Sequence, residues 1–360
     1  MTLPESMRAM VTMGHGDLDQ MVLHADWPRP DPAAGEVLIR VGACGLNNTD
    51  VNTRSGWYSK TVTDATTGGA FKEVGQDDPT WGGAPINFPR IQGADVCGQI
   101  VAVGAGVDPA RIGERVITDG WLRDEDDPNN MDKAGYFGSE RDGGFAEYTT
   151  TLAASALAIT SDLSDAELAT FSCSYSTAEG MLTRAQVGPN DSVLIPGASG
   201  GVGGALVQLA KRRGARVIAM ASDTKHKDVA ALGPDKILPR APENLRAALG
   251  DEKITVVADV VGGPYWPTLI DVLERGGRYT CSGAIAGPMV ELDLRTFYLR
   301  DLTFTGSTVI TPEVMPNLIR YIEAGEIKPA LAATYPLDQL RDAQAAFIAK
   351  THTGNIVVCP

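Results

Sequence analysis

The 360-residue chain reads as an α/β protein in which a doubly wound parallel sheet is joined to a smaller, barrel-like β domain. Three observations predict this. From about Leu163 onward, short apolar runs alternate with helical segments, the pattern of parallel strands covered on both faces. A glycine-rich turn, Gly197-Ala198-Ser199-Gly200-Gly201-Val202-Gly203, sits between one such strand and an amphipathic helix. Before Leu163, short β-rich runs with glycines at their corners recur at regular spacing, as in a barrel.

In chain order, MRAMVTM and GEVLIRVGACG are strand runs separated by the proline-studded WPRPDPAAG. A strand pair follows in DVCGQIVAVGAGV and GERVITDG. Two polar, Gly/Asp-rich stretches, about 59–87 and 122–144, lack apolar periodicity and read as long loops. DSVLIPG is then a strand, and GVGGALVQLAKRRGA a helix with Leu206, Leu209 and Ala210 on one side. ARVIAMAS, KIL, ITVVADVVG, GGRYTCSG and LTFTGSTV read as the remaining strands; KDVAALG, ENLRAALG and YWPTLIDVLER read as the helices between them. PEVMPNLIRYIEAG and LDQLRDAQAAFIAK are two further helices, and NIVVC a closing strand.

Composition excludes several functions. Thirty-one basic against 45 acidic residues leave a net charge of −14, with no Lys/Arg run. Nucleic acids and anionic membranes bind through phosphate neutralisation, so both are excluded as partners. Any anionic ligand must meet a local positive patch. The five cysteines are odd in number, widely spaced and free of any CxxC pair, which argues against a disulfide framework. No apolar run reaches membrane-spanning length, and the N-terminal segment has no signal-like apolar core. The expectation is a soluble, cytoplasmic protein.

The glycine turn carries the chemistry. Glycine lets the backbone approach a pyrophosphate, and the following helix N-terminus presents free N–H groups with partial positive charge. A dinucleotide is therefore expected on Gly197, Ala198, Ser199, Gly200, Gly201, Val202 and Gly203. The second strand ends Ala219-Met220-Ala221-Ser222, without the acid that would hold a ribose 2′-hydroxyl. Ser222 and Lys225 can instead bind a 2′-phosphate, which favours NADPH, although Asp223 lies beside them. Arg240 can stack on the adenine. Gly283, Ala284 and Ser307 end later strands, where ligands of such sheets gather.

CGLNNTDVNTRSGWY, FPRIQGADVCGQIVAVGAGV, DGGFAEY, FSCSYSTAEGML and GASGGVGGALVQLAK together resemble the medium-chain dehydrogenase/reductase superfamily, and within it the quinone oxidoreductase branch. The resemblance implies a GroES-like β-barrel catalytic domain (1–158), a Rossmann dinucleotide-binding domain (159–308) and a C-terminal return to the catalytic domain (309–360). It implies a homodimer or homotetramer. It places Thr177 near the nicotinamide and Tyr58 facing it, with Thr49 at the proton-relay position of zinc-dependent members. Those members hold zinc at the positions of Asn47, Ala94 with Asp95, and Cys173; only Cys173 and Asp95 can ligate, so no metal is expected. The region of their four-cysteine lobe, about 119–144, contains no cysteine.

A conjugated acceptor delocalises incoming charge and needs only hydrogen-bond donors and a proton source. Tyr58, Asn48, Asn47 and Thr49 are the candidate groups, with Trp57 and Trp81 as an aromatic wall. The expected activity is NADPH-dependent hydride transfer to a quinone or α,β-unsaturated carbonyl. An alcohol dehydrogenase or carbonyl reductase with a degenerate zinc site, and a non-catalytic NADPH-binding protein, are the alternatives. The 59–87 stretch follows Tyr58 and is expected to act as a lid or specificity element.

Overall fold

The structure, a computed structural model, describes residues 3–67, 69, 86–124 and 126–360. Trp81 and most of the 59–87 stretch lie outside the described residues. Strands Lys236–Pro239, Arg216–Ala221, Ser192–Ile195, Ile254–Asp259, Leu273–Cys281 and Thr303–Gly306 form a six-stranded sheet in that spatial order. Every neighbouring pair is parallel. Side chains alternate between two cores: Val193, Ile195 and Ala219 pack into one, Leu194, Ile218 and Met220 into the other. Burial on both faces is why these strands read as continuous apolar runs. Strand order reverses between Ser192–Ile195 and Ile254–Asp259, the topological switch point at which such sheets open a crevice.

A second sheet of seven strands is built around the long strand Glu36–Gly45. It pairs antiparallel with Asp95–Val103, Tyr148–Leu152 and Asn355–Cys359. Strand Leu331–Pro336 runs parallel to Asn355–Cys359, so segments far apart in sequence close one barrel-like domain. Helix Ser172–Arg184 links the domains, and its buried Ala178, Met181 and Leu182 share a core with Ala205, Leu206 and Leu209 of helix Gly201–Arg212.

Four elements depart from the sequence expectation. CGLNNTDVNTRSGWY, where no helix was read, contains one, Asn48–Ser55. Its start is set by Asp50, whose carboxylate accepts from the Asn47 backbone N–H at 2.8 Å, and Gly56 ends it in the left-handed region at φ 79°. Strand Leu331–Pro336 was not expected; its residues are exposed or half-buried, so no apolar run marks it. The 122–144 stretch is not wholly irregular, because Trp121–Leu122 pairs with Gly135–Tyr136 as a short ribbon. Helix Trp266–Asp271 stops short, and Leu273 already belongs to the next strand. Among the described residues no helix is long and apolar enough to cross a membrane.

Segment 350–355 straps the two domains together. Gly354 N–H donates to Ser199 O at 2.9 Å, against the glycine turn. Lys225 Nζ donates to Lys350 O (2.7 Å) and His352 O (2.5 Å), and Lys350 Nζ to Asn48 Oδ1 (2.9 Å).

Candidate active site

One cleft of about 400 Å³ lies between the domains. The barrel side supplies Asn47, Asn48, Thr49, Asn52, Trp57, Tyr58, Trp121 and Tyr136, and the linking helix supplies Cys173 and Thr177. The sheet side supplies Gly197, Gly200, Gly201, Val202 and Gly203, with Gly283, Ala284 and Ser307 at later strand ends. The sequence-expected residues therefore converge, apart from the five that follow. Ala198 is fully buried and its N–H is bonded to Met220 O, so it shapes the turn from behind. Ser199, Ser222, Lys225 and Arg240 stand outside the cleft wall.

The turn fits a dinucleotide. Gly197 has φ +67°, which favours glycine, and a Cβ on Gly203 would overlap the carbonyl of Gly197. Helix Gly201–Arg212 begins there with no side-chain cap, leaving its first N–H groups for an anion. Ser307 Oγ is buried in the cleft without a hydrogen-bond partner, a polar atom that a bound ligand would satisfy. At the adenosine end, the register pairs Ala221 with Pro239, which sets Ser222 beside Arg240 at adjacent strand ends. Burial lowers the Lys225 ammonium pKa, and so does nearby Arg240. Two of the three Lys225 donors hold the 350–352 carbonyls, so its main bonds are to the strap rather than to open solvent.

The cleft floor is a network of buried polar groups. The Tyr58 hydroxyl bonds the side chains of Thr49 and Asn52, and burial holds its phenol above the usual range. Asn47, expected to donate to substrate, lines the cleft and gives one amide N–H to Asp95 Oδ2 at 3.0 Å. Asp95 Oδ1 accepts the Cys173 backbone N–H at 2.8 Å. Burial raises both Asp50 and Asp95 from 3.8 to about 7. The Cys173 thiol, raised by burial, stays protonated and bonds Tyr136 and Thr177. Asn48 presents its carbonyl oxygen to Lys350, leaving its amide N–H₂ as the donor toward the cleft.

These residues do not suit a catalytic zinc. Asn47 is turned to donate, both Asp95 oxygens are engaged, and Ala94 offers nothing. Among the described residues no three His, Cys, Asp or Glu side chains come together as a metal site.

Sequence reasoning missed Tyr136 and passed over Trp121, which face each other edge-on with ring centroids 5.1 Å apart in the cleft wall. Their two-residue strands carry no periodicity to read. Thr66, inside the expected lid, also lines the cleft, with Oγ1 on Asn52 Oδ1 at 3.2 Å and N–H on Ile285 O at 3.0 Å.

A glycine turn at a switch point, facing a polar barrel wall across one cleft, defines a dinucleotide-dependent oxidoreductase. Comparison with known proteins agrees. Residues 33–161 match the alcohol dehydrogenase GroES-like domain family, and residues 201–324 the zinc-binding dehydrogenase family. A solved structure from Sinorhizobium meliloti 1021, provisionally named an alcohol dehydrogenase, is 44% identical with a TM-score of 0.90, covering 99% of this chain and 98% of that one. Acryloyl-coenzyme A reductase of Metallosphaera sedula is 26% identical over 98% of this chain and 99% of its own length. The chloroplastic NADPH-dependent alkenal/one oxidoreductase of Arabidopsis thaliana is 26% identical over 100% of this chain and 81% of its own. The chain belongs to the medium-chain dehydrogenase/reductase superfamily and is an oxidoreductase of that superfamily.

Proposed function

We propose that this protein reduces α,β-unsaturated carbonyls or quinones with NADPH, without a metal. The observation that carries the reading is the cleft floor, where Asn47, Asp95 and Cys173 satisfy one another and protonated donors replace a Lewis acid. Two relatives bear the names of conjugated-acceptor reductases, which supports the same class. Ser222 and Arg240 at adjacent strand ends, with Lys225 next to them, support a 2′-phosphate and hence NADPH.

Bound on the glycine turn, a reduced nicotinamide supplies a hydride. For an enone, addition at the β-carbon sends the π pair onto the oxygen, and a proton then joins the α-carbon. Asn48 Nδ2 can donate to that oxygen, and Tyr58 with Thr49 forms the hydroxyl pair that delivers the proton. Trp57, Trp121 and Phe347 give the cleft flat apolar walls for a conjugated substrate. The alternative of an alcohol dehydrogenase rests on Cys173 and Asp95 and on the family descriptions. A non-catalytic NADPH-binding role is a third reading, which saturable binding with no oxidation would favour.

Stopped-flow NADPH oxidation in the presence of chelator separates these readings. Fast turnover of enones or quinones and slow turnover of simple aldehydes is expected. Arg240→Ala should raise KM for NADPH about tenfold and KM for NADH much less, since only the 2′-phosphate contact is particular to NADPH. Activity restored only by added zinc, or confined to alcohols and aldehydes, would overturn the proposal.

We also propose that two copies associate through the free edge of strand Thr303–Gly306. Near it in sequence Met289, Val290, Leu294, Tyr298 and Leu299 stand exposed within one short segment, the kind of apolar cluster that marks an interaction surface.

A further inference from the structure

We propose that Tyr136 is a second oxygen-binding group of the reaction, its phenol donating to the substrate oxygen beside Cys173. The inference rests on the reductase reading above. Tyr136 is buried at 7% exposure yet lines the cleft together with Asn47 and Cys173, where zinc-dependent relatives would hold their metal. Its backbone and ring are each held. Trp121 packs edge-on against it, the backbone N–H of Tyr136 donates to Glu140 Oε2 at 2.7 Å, and Phe137 N–H donates to Gly120 O at 2.8 Å. Gly120 leaves room for the ring: a Cβ there would lie 3.0–3.1 Å from the ring edge and hydroxyl of Tyr136, so the tyrosine would have to shift.

The Tyr136 hydroxyl is hydrogen-bonded to the Cys173 thiol. A neutral thiol is a weak acceptor, so a carbonyl oxygen outcompetes it for the phenolic hydrogen, and a developing enolate oxygen does so more strongly. The thiol S–H can then donate back to the phenol oxygen. No proton need leave Tyr136, and burial keeps it protonated. It stabilises the oxygen while the Tyr58–Thr49 pair serves the carbon. The sheltered position matters, since a donor preorganised away from water is worth more than the same donor in solvent.

The test pairs kinetics with binding to cofactor-free protein. Tyr136→Phe should lower kcat for an enone about 100-fold, with melting temperature and NADPH affinity near wild type. Nitrophenolate, a flat delocalised oxyanion followed by its visible absorbance, should bind the cofactor-free variant about tenfold more weakly. Gly120→Ala keeps the tyrosine but displaces it, and should lower kcat about tenfold; it also serves if Tyr136→Phe does not fold. Kinetics and nitrophenolate binding within threefold of wild type in both variants would overturn the proposal. If wild type reduces no conjugated acceptor, the reductase reading falls, and the nitrophenolate comparison still decides whether Tyr136 binds an oxyanion.

Discussion

Asp95 shows how one buried side chain links the site to stability. Its carboxyl is raised from 3.8 to about 7 by burial, so the folded protein holds a proton that the unfolded chain releases. The associated stability is fully present below about pH 4 and is lost as pH rises through about 7. Asp95→Asn keeps an acceptor for the Cys173 N–H, and a flipped Asn47 amide can meet the new N–H₂. Calorimetry across this range should show the wild-type melting temperature falling by several degrees relative to the variant. Equal slopes would show that Asp95 is ionised in the fold. At this scale the sequence was readable where chemistry depends on residue type alone. Gly197, Gly203 and Thr177, singled out by residue type, all line the cleft. The bond from Asn47 to Asp95 was not readable, because its partner lies 48 positions away.

Helix Asn48–Ser55 carries Asn48, Thr49 and Asn52, yet its residues are largely polar and it has no apolar stripe to fold around. It is held by its ends. Arg54 is fully buried, with Nε on Gln344 Oε1 at 3.1 Å and Nη1 on Gly16 O at 2.5 Å. Asn48 at the other end meets Lys350. Gln344 and Lys350 belong to helix Leu340–Ala349 and its cap, so the catalytic helix is tied at both ends to a C-terminal one. Gln344→Leu removes the acceptor of Arg54 Nε and should cost about 2 kcal/mol in urea unfolding, with kcat reduced as the helix loosens. A cost near zero would mean that Arg54 finds another acceptor. This anchoring explains why the helix was illegible: only the Asn47–Asp50 capping pair marks it locally. The parallel strands and the glycine turn were legible because their burial is written as contiguous apolar residues.

At the scale of the whole molecule, the alternation of strands and helices announced the nucleotide sheet, whereas the barrel's closure was only partly visible. NIVVC read as a strand, but nothing local said that it inserts between Glu36–Gly45 and Leu331–Pro336. Association through Thr303–Gly306 is tested by light scattering: Leu294→Asp with Tyr298→Asp should convert dimers or tetramers into smaller species. A wild-type monomer would refute that interface. The late insertion of the barrel strand also bears on synthesis. Cys44 and Gly45 wait for Val358 and Val357, more than 300 residues downstream, while the complete nucleotide sheet lies in the interval. At ~5–20 residues per second that delay is about 15–60 s. During translation the nucleotide-binding half can therefore be finished while the other half still shows an open apolar seam, a natural binding place for holding chaperones.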